Sequence, residues 1–425
     1  MLIHSAGELL TLAGGPQRGA ALGALGIIQG GAVLIREGKI AAVGTTRELR
    51  ASYPDEPGLD ADGRVVMPGL VDPHTHVLWA GDRAREFEMR LEGAKYMDIL
   101  AAGGGILSTV RSTRAASPLE LAAETRPRLE RMFAHGTTTV EVKTGYGLET
   151  NAELRMLEAL QTLQSQVPID IAVTFLGAHA IAPEYKDDTQ GYTRLLCDQM
   201  LPAVREWWEK NSGERPLPFV DVFCENNAFT LDQSRQILER GQQLGFPLKI
   251  HADEFENLGG VSLAVELGAV SADHLVKTSE GDIARLGGSE TAAVSLPCTP
   301  FGLAEREFTP AKKILAAGGL LALATDCNPG TAWNESMQFA IALACRFLDL
   351  TPAQAIAAAT INAARAIRRE DRVGSIEPGK SADLLILDTQ DYRHLGYRFG
   401  TNLVRQVIKG GRAYEVHAGY DEMHL

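Results

Sequence analysis

Pro68-Gly69-Leu70-Val71-Asp72-Pro73-His74-Thr75-His76 is the stretch on which the fold turns. A short β-type run passes straight into two histidines two residues apart. In extended backbone, side chains two apart leave from the same face. His74 and His76 can therefore hold one metal ion without distortion of the chain between them. Three more β-like runs end in residues of ligand type: Leu248-Lys249-Ile250-His251, Val270-Ser271-Ala272-Asp273-His274 and Leu321-Ala322-Leu323-Ala324-Thr325-Asp326. Such a pattern asks for a fold in which strand ends converge.

The middle of the chain supplies one. Candidate strands at 65–71, 138–142, 171–176, 220–223, 248–250, 271–272, 292–296 and 320–324 alternate with helical patterns. Ser117-Pro118-Leu119-Glu120 and Thr351-Pro352-Ala353-Gln354 each join an N-cap hydroxyl, a proline at the first helical position and a capping-box partner. Thr230-Leu231-Asp232-Gln233 is a third capping box. This alternation predicts a TIM-like (β/α)8 barrel. A doubly wound sheet has no reason to place ligand-type residues at the ends of strands one, five, six and eight, whereas in a barrel all strand ends share one rim. The flanks read differently: residues 31–40 form two β runs about Glu37-Gly38, and the tail repeats that style, closing at Gly410-Gly411. The two chain ends are predicted to pair into a small β-sandwich domain. The expected boundaries are 1–64 and 373–425 for the sandwich and 65–372 for the barrel.

Bulk properties narrow the partners. A net charge of −13 over 425 residues argues against nucleic acid. No apolar stretch is long enough to span a bilayer, and the start of the chain lacks a basic targeting region. The five cysteines (197, 224, 298, 327 and 345) are odd in number, scattered and never in a C-x-x-C pair. Free thiols in a reducing, cytoplasmic setting are the expectation.

His74, His76, His251 and Asp326 make a mixed nitrogen and oxygen donor set suited to Zn²⁺ or iron, with a position open for water. Asp326 has a second reading, as a cap for the turn Cys327-Asn328-Pro329-Gly330. Glu254 lies three residues past His251, facing the same mouth, and is assigned proton transfer. His274 ends strand six and either orients the attacking water or shares that proton work. Lys143 is read as structural or as a pocket hydrogen-bond donor. Cys224 and Glu225 end strand four as candidates for the pocket floor.

Residues 68–76 resemble the first-strand signature of the amidohydrolase superfamily, and the flanking β segments resemble the small composite domain of its barrels. Four more motifs narrow the resemblance to the imidazolonepropionase family, over essentially the whole chain. They are Gly103-Gly104-Gly105-Ile106-Leu107-Ser108-Thr109-Val110, Glu141-Val142-Lys143-Thr144-Gly145-Tyr146-Gly147, His251-Ala252-Asp253-Glu254 and Thr325-Asp326-Cys327-Asn328-Pro329-Gly330. The resemblance implies ring opening of 4-imidazolone-5-propanoate to N-formimidoyl-L-glutamate, a step of histidine degradation. It implies one zinc or ferric ion per subunit on His74, His76, His251 and Asp326, and a homodimer. It further implies substrate contacts from Arg83, as the grip on the propanoate carboxylate, and from Tyr146, His179, Glu254, Asn328, Gly330 and Thr331. Cys327 and Cys298 stand where relatives are expected to carry a bulky apolar and a small residue, which affects pocket shape only. The same ion and glutamate would serve a heterocycle deaminase, but a neutral base needs no guanidinium anchor at Arg83. A barrel scaffold without catalysis is disfavoured because all four ligand-type residues are present. The glycine run would also let segment 103–111 move over the pocket.

Overall fold

The computed structural model describes residues 1–93 and 104–416. Eight parallel strands form the barrel: β1 (Leu70–Asp72), β2 (Thr137–Lys143), β3 (Asp170–Ala178), β4 (Phe219–Cys224), β5 (Lys249–Ala252), β6 (Ser271–His274), β7 (Ala292–Ser295) and β8 (Leu321–Leu323). Each pairs with the next in sequence order. Past the strand ends, Thr75 and Cys327 form a parallel bridge that joins β8 back to β1. Around it, His76 N donates to Cys327 O at 3.0 Å and Asp326 N to His74 O at 3.2 Å. Closure of the barrel and the pairing of the two ligand-bearing segments are therefore one set of hydrogen bonds.

All residues of β2 are buried, as a parallel sheet covered by helices requires. Ser117, Thr230 and Thr351 each accept from the third helical amide of Pro118–Ala134, Leu231–Gln243 and Pro352–Ala358, so the three expected capping boxes start helices. Among the described residues no helix is long and apolar enough to cross a membrane.

Both chain ends build a separate β domain. Its strands run in the order Arg412–Glu415, Val404–Lys409, Leu384–Leu387, Val65–Pro68, Leu2–Leu10, Ile27–Arg36, Lys39–Thr45, with Gly58–Asp60 also on Leu2–Leu10. Glu37 and Gly38 take φ of +50° and +72°, and Gly410 and Gly411 +54° and +79°. Positive φ at both central residues matches the right-handed strand twist of a tight hairpin, and the two turns expected from sequence are of this kind. Ile3, Leu9, Val33, Ile35, Leu384, Ile386 and Ile408 share one apolar cluster, while Leu385 and Leu387 join the core of the barrel. Alternation along one strand thus serves both domains.

One boundary differs from expectation. The run 65–71 is not a single strand: Val65–Pro68 pairs antiparallel with Leu384–Leu387 and parallel with Leu2–Leu10, and only Leu70–Asp72 enters the barrel. The crossing falls at Gly69, whose amide donates to Asp383 O while that of Leu70 donates to Gly136 O, both at 2.9 Å. A Cβ on Gly69 would overlap the Thr138 side chain. The chain changes sheets where two layers touch too closely for any side chain. Gly69→Ala is expected to destabilise by about 1–3 kcal/mol through overpacking, seen as a lower urea midpoint with an unchanged KM.

Candidate active site

Four donors meet at the C-terminal mouth of the barrel. His74 Nε2 lies 3.3 Å from His76 Nε2, and His251 Nε2 lies 3.2 Å from that same atom. Asp326 Oδ1 is 3.5 Å from both His74 Nε2 and His76 Nε2. All four residues are buried. The other side of each of two rings fixes its tautomer. His74 Nδ1 donates to Asp273 Oδ2 at 2.6 Å and His251 Nδ1 to Asp221 Oδ1 at 3.1 Å. A carboxylate only accepts, so Nδ1 holds the proton and Nε2 presents a lone pair.

Lone pairs held 3.2–3.5 Å apart repel unless a cation sits among them. Asp326 Oδ1 has no hydrogen-bond partner among the described residues, and its Oδ2 accepts from Thr299 Oγ1. A tetrahedral ion with bonds of about 2.0–2.1 Å would set its ligands about 3.3–3.4 Å apart. His74, His76 and Asp326 form one compact triad that fits such an ion, and His251 approaches it through His76 while also grouping with His74 and His274. Burial lifts the Asp326 carboxyl to about 6 and drives the His74 and His76 imidazoles well below their usual value, so both rings are neutral donors. The Asp326 side chain does not cap the following turn; Asn328 does that work.

A nitrogen of His274 lies within 4.8 Å of ring nitrogens of both His74 and His251. In an even strand His274 would face away from Asp273's side of the sheet. Instead its backbone sits at φ +82°, and that of Asp326 at +54°. These left-handed conformations cost about 1–3 kcal/mol each and swing both side chains over the mouth. Glu254 Oε2 is 3.5 Å from His274 Nε2. Burial, with Asp326 and Glu225 nearby, holds the Glu254 carboxyl well above the ordinary range. Its loop is tied by Glu225 Oε2, which accepts from Phe255 N at 2.9 Å and Glu256 N at 3.2 Å. Glu225 therefore secures a loop, while Cys224 is buried in the core. A cavity of about 220 Å³ opens beside Glu254, His274 and Thr299.

His179 stacks on His76 with ring centroids 4.7 Å apart, and its Nδ1 donates to Gly145 O at 3.1 Å. Burial, foremost, lowers its pKa to about 3. The Tyr146 ring is 5.2 Å from His179. Its loop is anchored by Glu153, which accepts from Gly145 N at 3.1 Å and from Gly147 N and Leu148 N at 2.8 Å. Gly145 takes φ +110°, and a Cβ there would meet Leu176 O at 2.7 Å.

Arg83 reaches the loop after Asp326: a Cβ on Gly330 would overlap its Nη1. Its Nε donates to Glu86 Oε2 at 2.8 Å. Asn328 Nδ2 donates to Asp326 O at 2.7 Å and Thr331 Oγ1 at 2.9 Å, while its Oδ1 accepts from Gly330 N and Thr331 N, both at 2.8 Å. Asn328, Gly330 and Thr331 thus brace one another. Arg90, which nothing in the sequence singled out, donates to Gly330 O at 3.2 Å. Cys327 and Cys298 are buried, and Cys298 Sγ accepts from Asn334 Nδ2 at 3.2 Å. Of segment 103–111, residue 103 lies outside the described residues; Ile106–Ala115 is a helix.

Behind the rings, Lys143 is the structural, buried donor that the sequence reading allowed, whereas its partners and the Lys249 pair escaped that reading. Lys143 Nζ lies 2.8 Å from Glu141 Oε1 and 2.9 Å from Asp221 Oδ2, all three side chains being inaccessible to solvent. Lys249 Nζ donates to Ser271 Oγ at 2.6 Å and lies 3.4 Å from Asp273 Oδ2. Burial opposes charge on both partners of the first pair. The Asp221 and Glu141 charges nonetheless hold the Lys143 ammonium above its usual range, and His251 and Lys143 hold Asp221 well below its own. Two chains result, Lys143–Asp221–His251 and Lys249–Asp273–His74. Their signal is period two: Glu141 and Lys143, Lys249 and His251, and Ser271 and Asp273 are each two apart in a strand.

The profile of the amidohydrolase family matches residues 65–414, and that of the imidazolonepropionase-like composite domain of bacteria matches residues 31–55. The chain is 55% identical over 412 residues to the imidazolonepropionase of Herpetosiphon aurantiacus, covering 97% of this chain and 96% of that one. It is 49% identical over 416 residues to that of Chloroflexus aggregans, covering 97% of each. Among solved structures, an adenosine deaminase of Xanthomonas campestris with bound zinc superposes with a TM-score of 0.69 at 22% identity, covering 99% of this chain and 94% of that one.

Removing one partner of a buried ion pair costs about 3–5 kcal/mol, and losing support behind a metal ligand costs about 10–100-fold in affinity. Lys143→Met is expected to show both, in urea unfolding and in zinc competition against a chelator. Adding Glu141→Gln should recover part of the stability.

Proposed function

The chain belongs to the amidohydrolase family, within its imidazolonepropionases, and from that premise we propose that it hydrolyses 4-imidazolone-5-propanoate to N-formimidoyl-L-glutamate in histidine degradation. In this reaction the bond between the ring carbonyl carbon and its amide nitrogen breaks, water supplies the new carboxylate oxygen, and the departing nitrogen takes up a proton. A zinc or ferric ion held by His74, His76, His251 and Asp326 would supply a nucleophilic water at neutral pH and polarise the ring carbonyl.

The protein's own groups do the rest. Arg83 grips the propanoate carboxylate through the guanidinium edge that Glu86 leaves free. The observation that carries this reading is the contact between Arg83 and Gly330, which brings an anion-binding group onto the loop that follows Asp326. A deaminase acting on a neutral base has no use for it. Tyr146 and His179 wall the ring on the other side. With Nδ1–H committed to Gly145 O, His179 offers an acceptor to a ring N–H. Asn328, Gly330 and Thr331, which brace one another, shape the wall beneath Arg83. Glu254 and His274, 3.5 Å apart, take the proton released by water and deliver it to the leaving nitrogen.

Glu254→Gln is expected to lower kcat by about a hundredfold or more with little change in KM; a wild-type kcat would remove Glu254 from proton transfer. Arg83→Ala should act mainly through KM, and equal turnover by both proteins of an imidazolone lacking the carboxylate is expected. Loss of kcat at unchanged KM would assign Arg83 another role.

A further inference from the structure

A second cavity lies at the opposite end of the barrel. It holds about 410 Å³ and lies between the start of β3, the loop at 214–216 and the segment 369–373. It runs into a further space of about 260 Å³, with Gln164, Ile171, Arg215 and Arg369 common to both. It shares no residue with the catalytic mouth. Along β3, Asp170 and Ala178 are eight steps apart, about 26 Å.

The polar groups on these walls are nearly all donors. Arg215, Arg369 and Arg372 line the first space, and Arg368 the second. Arg215 is pinned, with Nε donating to Ser212 O at 3.1 Å and Nη1 to Gln164 Oε1. Arg369 and Arg372 make no side-chain hydrogen bond or ion pair among the described residues. Two carboxylates lie on the wall, but Asp170 Oδ2 is engaged by Lys409 Nζ at 2.7 Å and Glu214 is exposed. Glu370, next in the chain, pairs with Arg365 at 3.4 Å. Two buried donors on the same walls also lack acceptors: Trp208 Nε1 and Thr139 Oγ1. Burial and the Arg372 charge both depress the basicity of Arg369, while Asp170 and Asp371 only partly oppose them. Of these groups Arg369 is half-buried, while Arg368 and Arg372 are exposed at the rim. A half-buried guanidinium without a carboxylate partner is costly, and its planar fork, with that of Arg372 beside it, matches an oxyanion. The back wall is apolar, with Trp208, Phe219 and Ile367.

We propose that this cavity is a second ligand site, binding a small organic anion with a doubly charged oxyanion head against Arg369 and Arg372 and a flat apolar body against Trp208 and Phe219. Isothermal titration of the full-length, metal-loaded enzyme with phenyl phosphate, inorganic phosphate and phenol tests it. Phenyl phosphate should bind more tightly than phosphate, and phenol not at all. Arg369→Met/Arg372→Met should weaken phenyl phosphate binding by at least about tenfold while turnover stays at the wild-type level. Because Arg369 is unpaired, Arg369→Met alone should raise the thermal midpoint in phosphate-free buffer and lose the further rise that phosphate gives the wild type. Absence of saturable heat up to about 10 mM would overturn the proposal. So would unchanged phenyl phosphate affinity in the folded double variant, which would place the anion at the metal centre.

Discussion

Inside this barrel, charge must be balanced where water cannot help. Asp72, Glu141, Asp221, Asp273 and Asp326 are all buried at or below the mouth, against the two ammoniums of Lys143 and Lys249. Burial lifts Asp72 to about 7, and Thr325 holds it through Oγ1 at 2.5 Å and the backbone amide at 3.1 Å. Even with Asp72 neutral, four carboxylates face two cations. The deficit is positive charge, and it sits where three imidazole nitrogens and Asp326 Oδ1 crowd together. The pull this site exerts on a cation is thus set by the whole barrel interior as much as by the four residues at the mouth.

The two lysines explain how the ligands keep their form. Asp221 and Asp273 could fix the histidine tautomers only while ionised, and an ionised carboxylate in a dry interior needs a countercharge. Lys143 and Lys249 provide it from strand positions two residues from Glu141 and His251. An apolar pair of similar volume would give as much stability but could not hold Nδ1–H in place. The ion pairs are retained here for orientation, and barrel closure through Thr75 and Cys327 puts the strands that carry them in register.

Much of this was legible in the chain. The eight strands, the three capping boxes and the hairpin turns follow from local rules, because patterning and cap chemistry act over a few residues. His74, His76, His251 and Asp326 were readable because a polar donor at the end of a buried strand is costly there unless it meets a partner, and four such donors at one rim can share a cation. The break at Gly69 was not, since both halves of 65–71 are equally apolar and only the approach of Thr138 separates them. The roles of Asp221 and Asp273 were not legible, because their partners are distant in sequence and periodicity alone does not say which strand faces which. The left-handed turn at His274 was hidden as well, because histidine carries no propensity that announces positive φ. Arg90 lies on a helix where an arginine is ordinarily solvated.

The same accounting of charge separates the two ends of the barrel. At the mouth, carboxylates outnumber cations; at the start of β3, guanidinia outnumber free carboxylates. The two imbalances are opposite in sign but cannot cancel. Across about 26 Å, a pair of unit charges at an effective dielectric constant of about 20 interacts by only about 0.6 kcal/mol, before screening by salt. Desolvation at either end is worth several times that. Each imbalance is therefore local: the mouth favours a cation, and the site proposed at the opposite end favours an anion at Arg369. An enzyme that only needed to fold could have paired Arg369 with a neighbouring carboxylate, as Arg365 is paired with Glu370.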